Sequence, residues 1–290
     1  MVKVWRVTVL VLLLSATVLG VQAHGDSGSD MHGDGLTTIR FAAVVGERPA
    51  ACGMMYEGIG SESTDMELTD FRFYISNIEL INAAGEAIPL ELEQDGLWQH
   101  ENTALLDFED GSARCAEFGN SQLRDKVVGT VPDGEYSGLR FMMDVPFELN
   151  HLDVTAAASP LNIPAMWWNW QFGYKFTRIE MMASGQPWLL HLGSTGCEAP
   201  NGATPPEQPC ANTNAVTVEL EGFNPKMNFV LADVAALLAT VDISTSTPEP
   251  PGCMSGPQDP DCTAIFPALG LNLETGAVLP DSPQTFFSIR

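Results

Sequence analysis

Six cysteines follow an export leader in this chain, and the compartment that the leader implies decides what those cysteines can be. Lys3 and Arg6 precede an apolar run over 7–19, and Val21-Gln22-Ala23 supplies the small-x-small pattern of a secretory cleavage site. Residues 1–23 read as a signal peptide cleaved near Ala23, and the mature chain then opens at His24. The run is shorter than the ~20 apolar residues of a membrane span, and no later stretch approaches that length, so no stable membrane insertion is expected. No cysteine adjoins the cleavage site to take a lipid anchor. In an oxidising periplasm, an even number of cysteines argues for disulfides over zinc ligation or thiol catalysis. Cys253 with Cys262 and Cys197 with Cys210 each bracket a short loop, so proximity pairs them and leaves Cys52 with Cys115.

Between the cysteines the chain reads as strands. Residues 24–36 are rich in Gly, Ser and Asp and lack an apolar period, which predicts a flexible arm. Short β-type runs then recur at 38–45, 70–81, 98–108, 136–144, 171–181 and 215–220, separated by Gly, Pro, Asn and Asp turns such as Pro132-Asp133-Gly134. One helix is predicted over 231–241. Proline-rich loops fill 199–209 and 245–260. The expected fold is all-β, a single sandwich or barrel-like domain over 37–290 with long disulfide-stapled loops and one or two short helices. The formal net charge is −24, and removal of the leader with Lys3 and Arg6 makes it more negative. Nucleic acid is excluded as a partner, because its phosphates demand a basic face.

Few residues can carry chemistry. The histidines number five. His24 and His32 lie in the arm, where Gly25, Asp26 and Ser27 give an amino-terminal copper brace no rigid support; a passive tail is the plainer reading. His100 follows Trp98 at a spacing that puts both on one strand face, an arrangement equally at home in a core or a surface patch. His151 stands at a strand end, and His191 closes a strand before the turn leading to Cys197. Imidazoles suit copper and zinc, although only the fold can bring separate segments together. The pairs Met54-Met55, Met142-Met143 and Met181-Met182 offer soft sulfur, but strand alternation explains them as packing. Trp167, Trp168 and Trp170 cluster in one segment; if it is extended, Trp168 and Trp170 share a face, as core anchors or as a surface for a redox partner. No metalloprotease, serine-hydrolase or regular zinc motif occurs.

Several stretches, in order over about residues 41–235, jointly resemble one family. They are Cys52-Gly53, Leu68-Thr69-Asp70-Phe71-Arg72-Phe73-Tyr74-Ile75-Ser76-Asn77-Ile78, Trp98-Gln99, Leu105-Leu106-Asp107-Phe108-Glu109 and Gly138-Leu139-Arg140-Phe141. They continue in Val145-Pro146-Phe147-Glu148-Leu149-Asn150-His151, Ser159-Pro160-Leu161-Asn162, Trp168-Asn169-Trp170-Gln171-Phe172-Gly173-Tyr174-Lys175-Phe176 and His191-Leu192-Gly193-Ser194-Thr195-Gly196-Cys197. The chain thus resembles the MbnP family, periplasmic copper-binding proteins of methanobactin-type operons, also known by a four-cysteine motif.

The resemblance implies a copper carrier, holding Cu(I) or Cu(II), and a di-haem partner resembling MauG and bacterial cytochrome c peroxidases. That partner oxidises a tryptophan to kynurenine, whose amine helps hold copper two residues before a histidine ligand in related surface proteins. Carried onto this chain, Trp98 before His100 is the modified tryptophan, with Trp168 and Trp170 as alternatives. The implied ligands are His191 with His100 or His151. The four motif cysteines map to Cys52, Cys115, Cys197 and Cys210, and Cys253 and Cys262 fall in a C-terminal extension. The rival readings are a copper-dependent oxidase or monooxygenase, which no acid–base motif supports, and a non-metal protein that docks a haem partner through its tryptophans.

Overall fold

The computed structural model describes residues 35–117, 119–201, 204–247 and 250–290. The expected leader, and the arm as far as residue 34 with His24 and His32, lie outside the described residues. Two sheets face each other. The strand Leu36–Val45 centres a six-stranded sheet, pairing parallel with Phe229–Asp233 and antiparallel with Lys126–Thr130. A ten-stranded sheet is built around the 19-residue strand Thr64–Asn82, which pairs with Thr177–Ala183 and Tyr136–Met143 along one edge and Thr103–Asp107 along the other. The architecture is an all-β sandwich. Among the described residues no helix is long and apolar enough to cross a membrane.

Phenylalanines fill the space between the sheets. Phe41 from the smaller sheet meets Phe73 at 6.2 Å and Phe141 at 5.9 Å from the larger one, and Phe287 near the C-terminus meets Phe141 at 5.2 Å. The long strand alternates, with Phe71, Phe73 and Ile75 facing this core and Asp70, Arg72, Tyr74 and Ser76 facing away, yet both sets are buried. The second face is covered by the segment following Met143. Tyr74 Oη donates to the Pro160 carbonyl at 2.9 Å, Tyr174 Oη donates to the Leu161 carbonyl, and Lys175 Nζ donates to the Ala165 carbonyl at 2.8 Å. An antiparallel strand buried on both sides is unusual, and here one side is apolar and the other charged.

Three expectations change. The predicted helix over 231–241 starts later: Val230 and Ala232 are buried in a strand that ends at Asp233, whose carboxylate accepts from Ala235 N and caps the short helix Val234–Leu238. The run 98–108 is a hairpin, Gln99–His100 against Thr103–Asp107, because Glu101 takes a left-handed φ of 51° at the turn. The run 171–181 splits into Gly173–Tyr174 and Thr177–Ala183. The disulfides join Cys52–Cys115, Cys197–Cys210 and Cys253–Cys262. The extension is part of the sheet, since Gly252–Cys253 pairs parallel with Leu189 and Leu190.

Cys52–Cys115 spans 63 residues and ties the 3-10 turn Ala113–Glu117 to the chain ahead of the long strand. Replacing both cysteines with serine is expected to lower the stability by about 2–5 kcal/mol, measured by denaturant unfolding of the oxidised protein.

Candidate functional site

The covered outer face of the ten-stranded sheet carries a plate of charge. In register across four adjacent strands lie Asp107, Arg72, Arg178 and His191, with Asp70 and Glu180 paired in the next row. Arg72 Nε donates to Asp70 at 2.9 Å, and Arg72 also lies 3.7 Å from Glu109. Arg178 donates to both oxygens of Glu180, at 2.7 and 3.0 Å, and reaches Asp70 at 3.2 Å. Burial raises the Asp107 carboxyl to about 7 against the pull of Arg72. Burial also lowers Lys175 to about 8, helped by the cationic Arg178 beside it.

His191 ends this row. Its Nε2 lies 2.6 Å from Glu180 Oε1. Burial holds the imidazole down at about 4, although the Glu180 contact pulls the other way. Glu180 would be raised by burial, but hydrogen bonds from His191 and Arg178 outweigh this and hold it at about 2. At neutral pH the pair is therefore a carboxylate and a neutral imidazole, so Nε2 carries the proton. That leaves Nδ1 with a bare lone pair, and the ring's side-chain hydrogen bond among the described residues is the one at Nε2. A carboxylate behind a histidine is the usual arrangement that orients a metal-ligating imidazole. Burial thus sets His191 well below the free-imidazole value of ~6.5.

The backbone next to His191 is pinned. Ser255 Oγ donates to the His191 carbonyl at 2.8 Å and accepts from Gly193 N at 2.9 Å, and Asn214 Nδ2 donates to the Gly193 carbonyl at 2.8 Å. Ser255 adopts a left-handed φ of 66° to make both contacts. Gly193 is required by an indole: a Cβ there would stand 2.4 Å from Trp168 Cζ3. That close approach puts the Trp168 ring 6.4 Å from the His191 ring.

The other expected site residues are placed differently. Trp98 and His100 do share the outer face with His191. However, four strand steps of about 4.8 Å, with four residues of offset along the strand at about 3.3 Å each, separate His100 from His191 by roughly 23 Å. The two are not brought together. Trp98 is packed in the core at 9% exposure, whereas His100 is partly exposed and lies 3.8 Å from Glu101. His151 meets the tryptophan segment at the Trp170 carbonyl, 3.1 Å from its Nδ1, and its Nε2 faces Asn150 and Cys210. Trp168 and Trp170 do not form a row. Asn169 Oδ1 accepts from Gln171 N and Phe172 N, which turns the chain at Trp170 and stacks that ring edge-on against Trp167 at 5.8 Å.

Two groups of three or more His, Cys, Asp or Glu residues bring their ligand atoms within 4.8 Å of one another among the described residues, and neither includes His100 or His191. Sequence reasoning missed Glu180, Arg178 and Ser255. The only available signal was the alternation of charge with apolar residues in Asp70-Phe71-Arg72-Phe73 and Arg178-Ile179-Glu180, which resembles an ordinary solvated strand face.

The sign of the pH effect follows from these values. In metal-free protein the unfolded chain protonates His191 near ~6.5 and the folded chain near 4, so stability falls as pH drops through this window. The advantage of wild type over His191→Gln is expected to shrink by up to roughly 3 kcal/mol from pH 7 to pH 4. Unfolding of both proteins across that range, with imidazole resonances followed by NMR, checks this; titration of His191 near ~6.5 would contradict the burial argument.

Comparison with known proteins bears on the whole domain. The sequence model of the MbnP family matches residues 34–255. The structure is similar to that of MbnP from Methylosinus trichosporium, with a TM-score of 0.77 and 34% identity, covering 88% of this chain and 97% of that one. A search of curated proteins finds no match. The sequence match over most of the chain and the shared architecture together establish that this chain belongs to the MbnP family.

Proposed function

We propose that this protein is a periplasmic copper-binding protein of the methanobactin-operon type, whose Cu(I) is held at His191 beside a tryptophan that a di-haem partner oxidises. The observation that carries this reading is the Trp168 ring lying 6.4 Å from a buried, neutral imidazole. Neutral imidazole is a suitable donor for copper, and the Glu180 carboxylate fixes its tautomer. Oxidation of Trp168 to kynurenine, in which an oxidant equivalent to dioxygen handled by the partner breaks the C2–C3 bond and water releases C2 as formate, frees an aromatic amine near the His191 ring. Amine and imidazole are two donors, enough for a linear Cu(I) site.

Trp168 is therefore the preferred modified residue over Trp98, whose ring is enclosed by the core. His191 is the preferred ligand over His100 and His151. The same segment offers the partner a surface, because Trp168 and Trp170 are partly exposed and Phe172 at the turn is 41% exposed. A haem partner that only docks there, without modifying the chain, is the second reading.

Copper titration and mass spectrometry of protein co-expressed with the di-haem partner test the proposal. His191→Ala is expected to weaken copper binding at least about tenfold. The peptide containing Trp168 is expected to gain one oxygen and lose one carbon, in wild type and Trp98→Phe but not in Trp168→Phe. Unchanged copper affinity in His191→Ala removes the site, and an unaltered mass favours docking alone.

A further inference from the structure

A second cluster of ligating atoms lies apart from the His191 site. His151 Nε2 and the sulfurs of Cys197 and Cys210 all lie within 4.8 Å of one another, with Cys210 Sγ 3.7 Å from the imidazole nitrogen. All three residues are buried. The hydrogen bond at Nδ1 to the Trp170 carbonyl and the edge contact with Phe147 at 5.5 Å hold the ring so that Nε2 faces the disulfide.

We propose that reduction of Cys197–Cys210 opens a Cys-Cys-His site for a soft monovalent cation, with Cu(I) as the matching ion. A dithiol reductant supplies two electrons and two protons. The S–S bond breaks, two thiols form and the reductant closes to its own disulfide. Metal binding then releases the thiol protons to solvent. Two thiolates and an imidazole form a trigonal donor set of the softness that Cu(I) selects.

The site is preorganised because the disulfide is not the only tie across the loop neck. Thr195 and Asn212 exchange backbone hydrogen bonds at 2.9 and 3.0 Å, and Ala211 N donates to the Gly196 carbonyl at 3.1 Å. Gln171 Nε2 also holds the Cys197 carbonyl at 2.8 Å. With these contacts kept, the two thiols remain opposite each other after the bond is cut. A cavity of about 70 Å³, lined in part by Asp144, Asn150, Ser194 and Cys210, lies beside the sulfur and has room for an ion to enter. The Cys253, Asp259 and Cys262 cluster has no imidazole and serves as an internal comparison.

This site is independent of the one at His191, and the oxidised protein supplies the baseline for that first site. The full mature chain is reduced with dithiothreitol, desalted anaerobically and titrated with Cu(I), and alkylation of each cysteine is followed by mass spectrometry. Reduced wild type is expected to take up one more equivalent than oxidised protein, with Cys197 and Cys210 protected from alkylation by the metal. His151→Gln should weaken that added equivalent at least about tenfold while the His191 site is unchanged. No added equivalent, alkylation of the two cysteines unaffected by copper, equal affinity in His151→Gln, or a disulfide that resists reduction in the folded chain each overturns the proposal.

Discussion

Charged side chains can leave water only in each other's company, and the ten-stranded sheet is organised around that requirement. Asp70 and Arg72 are each 1% exposed, and Arg178 is 4% exposed. Each is matched by a partner on the same strand or the next. The pairing also fixes register. A slip of one residue along Thr64–Asn82 would push Arg72 among the phenylalanines and turn Phe71 and Phe73 toward Glu180. The ion pairs thus act chiefly as a device that admits one alignment of the strands, with the aromatic core supplying most of the burial.

The state of His191 follows from that alignment. Glu180 is shared: Arg178 grips both of its oxygens, and one of them faces the imidazole. The carboxylate is kept charged by the arginine, so the imidazole beside it has no need to carry charge, and burial then makes the neutral form the stable one. Trp168 reaches this imidazole only because position 193 has no side chain. Charge plate, neutral donor and adjacent indole therefore form a connected sequence of physical causes, running from strand register to the chemistry of one nitrogen.

Much of this architecture was legible in the chain. The strands at 38–45 and 136–144 and the three disulfides follow from alternation, turns and proximity, which are local signals. The long strand was only half legible. Its alternation of charge and phenylalanine marks a strand, but nothing local says that the charged side is covered by a later segment. Likewise, Trp98 and His100 stand at the right spacing, yet their distance from His191 is set by strand order, which spacing does not encode. Asn169 shows the opposite case: its side chain bends the tryptophan segment, a known habit of asparagine that could have been weighed against the assumption of an extended run.

The hydroxyl of Ser255 couples the tail to the histidine-bearing strand. It stands at the last residue matched by the family and at the first turn of a stapled tail that continues beyond it. Because this hydroxyl grips the backbone at both His191 and Gly193, a change in the tail would be felt at the end of the histidine-bearing strand, and the staple that shapes the tail thereby sets how firmly the imidazole is held.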